Sequence, residues 1–268
     1  MFLILIINIF LSTTYPANTI NPDRREKFIR AESLYVNNDL FMAEETFKEI
    51  LRQQQNDDYS FDSMSRLIDI AEKTGDRALF KEILSLLKGV TKSTSEAYNT
   101  LLYAIGKYLL QSGDYKTAIS FLNGVDKKSE FYPRAVYLKA SCLGGLKKYS
   151  EAILNFETII TMKNDYATKD IKDAAILDKA RIHVLMRKYD EALSEYQKID
   201  SLSRYYLKSL EETARLFITK KDYDQALSHI EALVFINPKL YLPESITNSG
   251  NEDTFSDYEL MKMKILQG

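Results

Sequence analysis

Small, aromatic and apolar residues recur along the chain with a period close to 34 residues. In each of four segments a small residue is followed nine positions later by a tyrosine, and three positions after that by an alanine. Large apolar residues then follow each alanine. The sets are Gly106 with Tyr115 and Ala118, Ala140 with Tyr149 and Ala152, Ala180 with Tyr189 and Ala192, and Ala214 with Tyr223 and Ala226. A fixed period of this length indicates stacked supersecondary units.

Each unit is predicted to consist of two α-helices joined by a tight turn. Glycine supplies a left-handed helix C-terminus, so Gly113-Asp114 predicts the turn. The small residues are expected where two helices cross too closely for a larger side chain. In the unit around Gly106, the first helix carries Leu102, Ile105 and Leu109 on one face, and the second begins at Tyr115 and carries Ala118, Leu122 and Val125.

Two weaker units precede these four. The first is built from Ala31, the turn Asn38-Asp39, Ala43, Phe47 and Ile50, and the second from Ile68, the turn Gly75-Asp76, Phe80, Leu84 and Leu87. The unit around Ala180 is longer than its neighbours by about six residues, which we expect within Lys163–Lys172. A pair of helices cannot bury both of its faces alone, so the units must stack.

The pattern resembles the tetratricopeptide (TPR) repeat, a 34-residue helix–turn–helix unit. The matching motifs are Gly113-Asp114-Tyr115, Tyr149-Ser150-Glu151-Ala152, Tyr189-Asp190-Glu191-Ala192 and Tyr223-Asp224-Gln225-Ala226, with Asn237-Pro238 at the end of the last unit. The chain departs from the family in having no Trp. The resemblance implies an all-α fold, a right-handed α-solenoid of about six helix-turn-helix repeats over residues 22–238. A polar loop and a C-terminal capping helix are expected over residues 239–268.

The N-terminal residues 1–17 form a separate segment without a charged residue. Its apolar run Phe2–Leu11 is too short to span a bilayer but suits the core of a secretory signal, with cleavage after Ala17. A secretory signal usually has a Lys or Arg before its apolar run, and this segment has none. The alternative interpretations of residues 1–17 are an uncleaved membrane anchor and a buried N-terminal strand or helix. The signal predicts an exported protein, periplasmic or extracellular, that touches the membrane only transiently.

Composition disfavours most enzyme classes. The 268 residues include 9 Gly and 5 Pro, too few for a turn-rich all-β fold or a glycine-rich phosphate loop. A net charge of −2 gives no general attraction for nucleic acid. One cysteine and two histidines leave little for a metal or acid–base centre. No catalytic motif is present, so we expect no enzyme activity, no cofactor and no metal. Acidic pairs such as Glu211-Glu212 are expected to be solvated.

The resemblance places the first helices of the units along a concave groove. The side chains between their core positions would face a ligand: Phe28, Tyr35, Tyr103, Lys107, Arg134, Tyr137, Leu177, Arg181, Lys208 and Arg215. Tyrosine and arginine are common in protein-binding hot spots, and this set favours an extended or acidic segment of a partner protein.

Three function classes follow from the sequence. The first is an exported scaffold for protein–protein interaction, with bacterial cell-envelope assembly or secretion as a setting suggested by family analogy. The second is a structural subunit that assembles with itself or within a larger envelope complex. The third is an enzyme with an unrecognised site, which would require a deep pocket with converging ionisable groups.

Overall fold

The computed structural model describes residues 22–236, and this range is all-helical. It contains twelve α-helices and one short 3₁₀ helix, Leu87–Gly89, and no residue in it belongs to a β-strand. The predicted signal segment, the Asn237-Pro238 pair, the polar loop and the capping helix lie outside the described residues. Between residues 22 and 236, no helix combines the length and hydropathy needed to cross a bilayer.

The helices alternate as the first and second members of six pairs. They are α1 Pro22–Val36, α2 Leu40–Leu51, α3 Asp58–Thr74, α4 Arg77–Leu86, α5 Glu96–Gln111, α6 Tyr115–Leu122, α7 Tyr132–Gly145, α8 Tyr149–Thr161, α9 Lys169–Leu185, α10 Tyr189–Tyr196, α11 Tyr206–Thr219 and α12 Tyr223–Ile236.

The chain divides into two compact units, Met1–Leu146 (unit 1) and Lys147–Gly268 (unit 2). In unit 1, α1 packs on α2, α3 on α4 and α5 on α6, while α3, α5 and α7 lie side by side. In unit 2, α9 packs against both α8 and α10, and α11 pairs with α12. Successive first helices of unit 1 are therefore neighbours, as stacked repeats require.

A left-handed residue two positions before each second helix marks the same turn in all six pairs. The residues are Asn38, Gly75, Gly113, Lys147, Arg187 and Lys221, with φ between 60° and 81°. The predicted left-handed glycine at Gly113 is confirmed, but four of the six turns use other residues. In the first three turns an aspartate accepts hydrogen bonds from the backbone of the second helix: Asp39, Asp76 and Asp114. The weak second unit thus keeps the geometry of the others.

The small residues of the first helices are buried. Ala31, Ala140 and Ala180 have no exposed surface. At Gly106 a Cβ atom would lie 2.5 Å from Leu122 Cγ, so a side chain at this position would overlap the facing helix. Val125 is buried as predicted, but it follows the end of α6 at Leu122 rather than lying on that helix.

The extra residues between Tyr149 and Tyr189 lengthen helices α8 and α9 rather than the connection between them. Helix α8 has 13 residues and α9 has 17, whereas the corresponding α6 and α7 have 8 and 14. The connection 162–168 is shorter than its counterpart 123–131. The prediction of extra residues within Lys163–Lys172 therefore holds for the start of α9, whereas the other extra residues lengthen the C-terminal end of α8, before the predicted range.

Candidate functional site

An aromatic cluster with one arginine lies on the first helices of unit 1. The ring of Tyr103 on α5 lies 5.2 Å from that of Phe131, which directly precedes α7. The guanidinium of Arg134 lies over the ring of Phe131, 5.6 Å from its centroid. Tyr137 follows one helical turn after Arg134 on α7 and shares its face. We name these four residues the aromatic–arginine patch.

The residues of the patch differ in how far they are exposed. Arg134 is exposed, whereas Tyr103, Phe131 and Tyr137 are half-buried. Burial raises the pKa of Tyr103, although the charges of Arg134 and Lys107 act in the opposite direction. The phenol is therefore neutral at physiological pH and can act as a hydrogen-bond donor beside a cation. The patch combines apolar surface, a neutral hydroxyl and a guanidinium.

Lys107 is paired with a carboxylate on the neighbouring first helix. Its Nζ lies 2.9 Å from Glu72 Oε2 on α3, and the amide of Gln111 donates to Glu72 Oε1 at 2.9 Å. Burial acts to raise the pKa of Glu72, but the hydrogen bonds from Gln111 and Lys107 outweigh it and lower the pKa. This pair ties α3 to α5 and largely neutralises a cation that the sequence assigned to ligand binding.

Tyr35 is enclosed by charged residues of α3. Its hydroxyl contacts Asp69 and Lys73, and the guanidinium of Arg66 lies 5.0 Å from its ring centroid. Arg66 also binds both carboxylate oxygens of Glu32 on α1. The structure therefore uses Tyr35 to join two first helices.

Two residues assigned to the groove from the sequence are buried in the core. Phe28 is 4% exposed and packs its ring against Phe47 and Tyr59. Leu177 is 3% exposed in the core of unit 2. The prediction that these two side chains face a ligand is wrong, because each is wholly apolar and packs into the core of its unit.

Arg181 of unit 2 is bound to Glu212 on the neighbouring first helix. Its Nε lies 3.0 Å from each carboxylate oxygen, and its Nη1 donates to Asp178 at 2.8 Å. Tyr196 donates from its hydroxyl to Glu212 Oε2 at 2.9 Å. Only 14% of the Glu212 side chain is exposed, so the expectation that this carboxylate is solvated is wrong.

Lys208 and Arg215 also lie beside carboxylates. Both contact Glu211, Lys208 from one helical turn before it and Arg215 from one turn after it. Lys208 also approaches Glu212 at 4.0 Å. Of the five groove cations predicted from the sequence, only Arg134 lacks a carboxylate partner among residues 22–236.

Sequence reasoning missed a buried charge cluster in unit 2. Lys179 on α9 is 8% exposed and binds Glu157 on α8 at 2.9 Å and Glu195 on α10 at 3.1 Å. Nδ1 of His183 and Oε2 of Glu195 are buried without a hydrogen-bond partner in the described structure. Burial and the charge of Lys179 lower the pKa of His183. The His183 side chain is half-buried.

A second missed residue, Arg24, is a buried structural cation. It has no exposed surface and donates to the Ile50 carbonyl, the side chains of Gln53 and Ser60, and the carboxylate of Asp57. These bonds join the start of α1 to the end of α2 and the start of α3. A charged residue at a helix start is ordinarily solvated, so nothing in the sequence pattern indicated this role.

The ionisable residues of the described range do not assemble a recognisable chemical centre. Among residues 22–236, no group of three or more His, Cys, Asp or Glu side chains is placed to hold a metal ion. Cys142 is buried, and burial raises the pKa of its thiol to about 11. A thiol with this pKa is almost entirely protonated at neutral pH and is a poor nucleophile.

Comparison with known proteins identifies the fold. A family model described as anaphase-promoting complex, cyclosome, subunit 3 matches residues 64–159. PilF of Pseudomonas aeruginosa aligns with 16% identity and a TM-score of 0.58, over 81% of this chain and 92% of PilF. PilW, described as a widely conserved type IV pilus biogenesis factor, aligns with 13% identity and a TM-score of 0.62, over 82% of this chain and 96% of PilW. The apo form of RapI aligns with 15% identity and a TM-score of 0.63, over 98% of this chain and 79% of RapI.

These likenesses concern the fold, because the sequence identities are low. The predicted resemblance to the tetratricopeptide family is confirmed, as is the predicted fold class, an α-solenoid of tetratricopeptide-like helix pairs. No curated protein matches the sequence of this chain.

Proposed function

We propose that this protein is an exported, non-enzymatic scaffold that binds an extended acidic segment of a partner protein on the aromatic–arginine patch. The tetratricopeptide-type fold supports the general class, because the family model that matches residues 64–159 describes a subunit of a multiprotein complex. The choice of this patch as the binding site rests on the position of Arg134.

Within residues 22–236, Arg134 is the predicted groove cation that has no carboxylate of this chain beside it and remains available to a partner's carboxylate. Lys107, Arg181, Lys208 and Arg215 are each bound to carboxylates of this chain, and a ligand would have to displace them. Arg134 is exposed and lies against Phe131, an arrangement that holds the guanidinium in place. A partner carboxylate could therefore pair with Arg134 while an adjacent apolar side chain contacts Tyr103 and Tyr137.

Two observations support a role in the cell envelope. The apolar run Phe2–Leu11 and the short polar stretch that ends at Ala17 have the order of a secretory signal. PilW, which shares the fold, is described as a pilus biogenesis factor. N-terminal sequencing of exported protein should begin near Asn18, and retention of residues 2–11 would contradict cleavage.

Affinity capture with matched variants tests the binding site. Protein beginning at Asn18 is immobilised, partners are captured from an envelope fraction, and the affinity of each recovered partner is measured. The Arg134→Ala/Tyr137→Ala variant should bind at least about 30-fold more weakly, which corresponds to about 2 kcal/mol. Circular dichroism of the variant should remain that of the folded protein.

Arg204→Ala provides the control for this experiment. Arg204 is also an exposed arginine over an aromatic ring, 4.9 Å from the centroid of Tyr205, but it is already paired with Asp170. This variant should bind the partner normally. Equal affinity of the Arg134→Ala/Tyr137→Ala variant and the native protein would exclude the patch as the binding site.

A structural subunit that assembles through its ends is the second candidate. Exposed apolar residues at the end of α12 favour it, since Phe235 is 89% exposed and Ile236 is 47% exposed. Sedimentation of the purified protein at increasing concentration should then reveal a defined oligomer. A monomer at all concentrations would leave the interaction scaffold as the better proposal.

A further inference from the structure

The loop 123–131 leads from α6 into α7 and ends at Phe131, a residue of the aromatic–arginine patch. Side chains from the first turn of α5 bind this loop near both of its ends. Near its start, the side chain of Asn99 accepts a hydrogen bond from the backbone N–H of Asp126 at 2.8 Å. Asn99 is only 2% exposed, so this contact is buried. The loop is therefore held against the helix that also carries Tyr103.

Glu96 holds the other end of the loop. Its Oε1 atom accepts hydrogen bonds from the hydroxyl of Ser129 at 2.7 Å and from the backbone N–H of Glu130 at 3.1 Å. The same Ser129 oxygen accepts from the backbone N–H of Phe131 at 3.0 Å, and Ser129 is 2% exposed. A carboxylate on α5 is thereby linked, through a buried hydroxyl, to the backbone of the residue over which Arg134 lies.

Unit 2 has a loop with the same internal hydrogen bonds before α11. Its Ser203 Oγ accepts from the backbone N–H of Tyr205 at 3.2 Å, and its Asp200 Oδ1 accepts from a backbone N–H two positions further on at 2.8 Å. The loop before α7 has both bonds at the equivalent residues, Ser129 and Asp126. The two loops therefore have the same local construction.

The first helix of unit 2 binds its loop in a different way. Asp170 of α9 occupies the repeat position of Glu96, and in the described structure it binds the side chain of Arg204 at 2.6 Å and no backbone N–H of the loop. The turn therefore forms without bonds of the kind that Glu96 makes. The loop that has these bonds is the one that ends at a residue of the patch.

We propose that Glu96 is a positioning residue of the binding site, which fixes the loop before α7 so that Phe131 and Arg134 are in place before a partner binds. This role rests on the binding function proposed above for the patch. Side chains that are already ordered in the free protein lose less conformational entropy on binding, so fixing them increases affinity. Glu96 acts through the loop backbone and needs no contact with the partner.

The charge of Glu96 makes this role distinguishable from a simple electrostatic effect. Removing a carboxylate near a site for an acidic segment should strengthen binding if charge alone matters. Loss of loop positioning should weaken it. Glu130 provides the matched control, because it is also an exposed carboxylate but contributes only its backbone N–H to the loop contacts.

Binding of a copolymer of glutamate and tyrosine, an acidic extended chain with apolar side chains, tests the two alternatives. Glu96→Ala should bind the copolymer about fivefold more weakly than the native protein, since the loop loses two hydrogen bonds. Glu130→Ala should bind it as tightly as the native protein or more tightly. Both variants should keep the circular dichroism of the folded protein, because both side chains are exposed.

The position of the loop can also be followed without a ligand, because the chain has no Trp. Phe131→Trp introduces a single indole into the patch. The amplitude of fast motion in its fluorescence anisotropy decay should rise when Glu96→Ala is added and stay unchanged when Glu130→Ala is added. Combining Glu96→Ala with Ser129→Ala should give little more motion than Ser129→Ala alone, since both break the same contact.

The outcomes separate this role from the proposed function. Copolymer binding by Glu96→Ala that equals or exceeds native binding, or unchanged motion of the indole in that variant, would overturn the positioning role alone if Arg134→Ala/Tyr137→Ala still loses binding. Native affinity in the Arg134→Ala/Tyr137→Ala variant, or no binding of the copolymer by the native protein, would contradict the proposed function and the positioning role together.

Discussion

Arg181 binds both carboxylate oxygens of Glu212 through its guanidinium, which joins first helices α9 and α11. The two residues lie 31 positions apart, close to the length of one repeat. Glu72 and Lys107, 35 positions apart, join α3 and α5 in unit 1 in the same way. Charged residues on the first helices therefore connect neighbouring repeats, in addition to facing solvent.

Glu212→Gln should destabilise the protein more than the same change at the adjacent Glu211. Glu212 accepts hydrogen bonds from Arg181 and Tyr196 at a site where only 14% of its side chain is exposed. Removing its charge should cost about 1–2 kcal/mol in the free energy of unfolding. Glu211 pairs with the more exposed Arg215 and Lys208, so Glu211→Gln should cost less than about 0.5 kcal/mol.

Urea unfolding of both variants measures this difference. If the two substitutions cost the same, the contact between Arg181 and Glu212 contributes no more to stability than a surface ion pair.

Gly106→Ala should be more destabilising than Gly145→Ala. The new methyl group at Gly106 would overlap Leu122 near its branch point, and Leu122 is buried in the core. We expect a loss of about 1–3 kcal/mol, the usual cost of overpacking. At Gly145 the methyl group meets the ring of Tyr115, which is half-buried and can swing aside.

Thermal unfolding of the two variants distinguishes these responses. Both substitutions replace glycine by alanine within a helix, where alanine is intrinsically the better residue, so helix propensity cannot explain a loss of stability. A Gly106→Ala variant as stable as the native protein would contradict the close crossing of α5 and α6.

The repeat pattern determined most of the fold but not the exposure of individual face residues. Five residues lie three positions before the small residue of their helix: Phe28, Tyr103, Tyr137, Leu177 and Glu211. The sequence pattern predicts the same exposure for all five side chains, yet Phe28 and Leu177 are buried and the other three are half-buried. The position lies at the boundary of the core, where a wholly apolar side chain turns inward and a tyrosine keeps its hydroxyl near water.

The partners of the charged residues could not be predicted for a similar reason. Glu211 and Glu212 are indistinguishable in sequence, but they point about 100° apart on α11, and only Glu212 faces α9. Arg24 and Lys179 are buried because residues distant in sequence enclose them. Such contacts depend on the relative placement of helices, which a repeat period does not specify.

Arg187→Gly should stabilise the protein, whereas Gly113→Ala should destabilise it. Both residues have a left-handed backbone, with φ of 60° at Arg187 and 81° at Gly113. This conformation costs a residue with a Cβ about 1–2 kcal/mol, and glycine avoids most of that cost. Glycine also gains freedom in the unfolded chain, so the net benefit of Arg187→Gly should be about 0.5–1 kcal/mol.

The midpoints of urea unfolding of these two variants should shift in opposite directions. Arg187 is exposed, so replacing it removes little packing. A shift of both midpoints in the same direction would indicate that the turn before α10 differs from the turn before α6.

Protonation of His183 should lower the free energy of unfolding as the pH falls from 7 to 5.5. Burial is the main cause that lowers its pKa from 6.5, and the charges of Lys179 and Lys188 act in the same direction, against those of Glu195 and Glu191. The unfolded chain therefore takes up the proton at a higher pH than the folded protein. The neutral imidazole therefore contributes to the free energy of unfolding above pH 6.5, and this contribution is lost as the pH falls below 6.5. The loss should be less than about 1 kcal/mol per pH unit, because the ring is only partly buried.

Urea unfolding at pH 7 and at pH 5.5 measures this effect. His183→Gln should lose less stability between the two pH values than the native protein, because glutamine does not titrate. His229→Gln removes the other histidine and leaves the cluster around Lys179 intact, so it should retain the native loss. If His183→Gln and the native protein lose equal stability, protonation of His183 does not oppose folding, and the buried cluster must accommodate the charged imidazole.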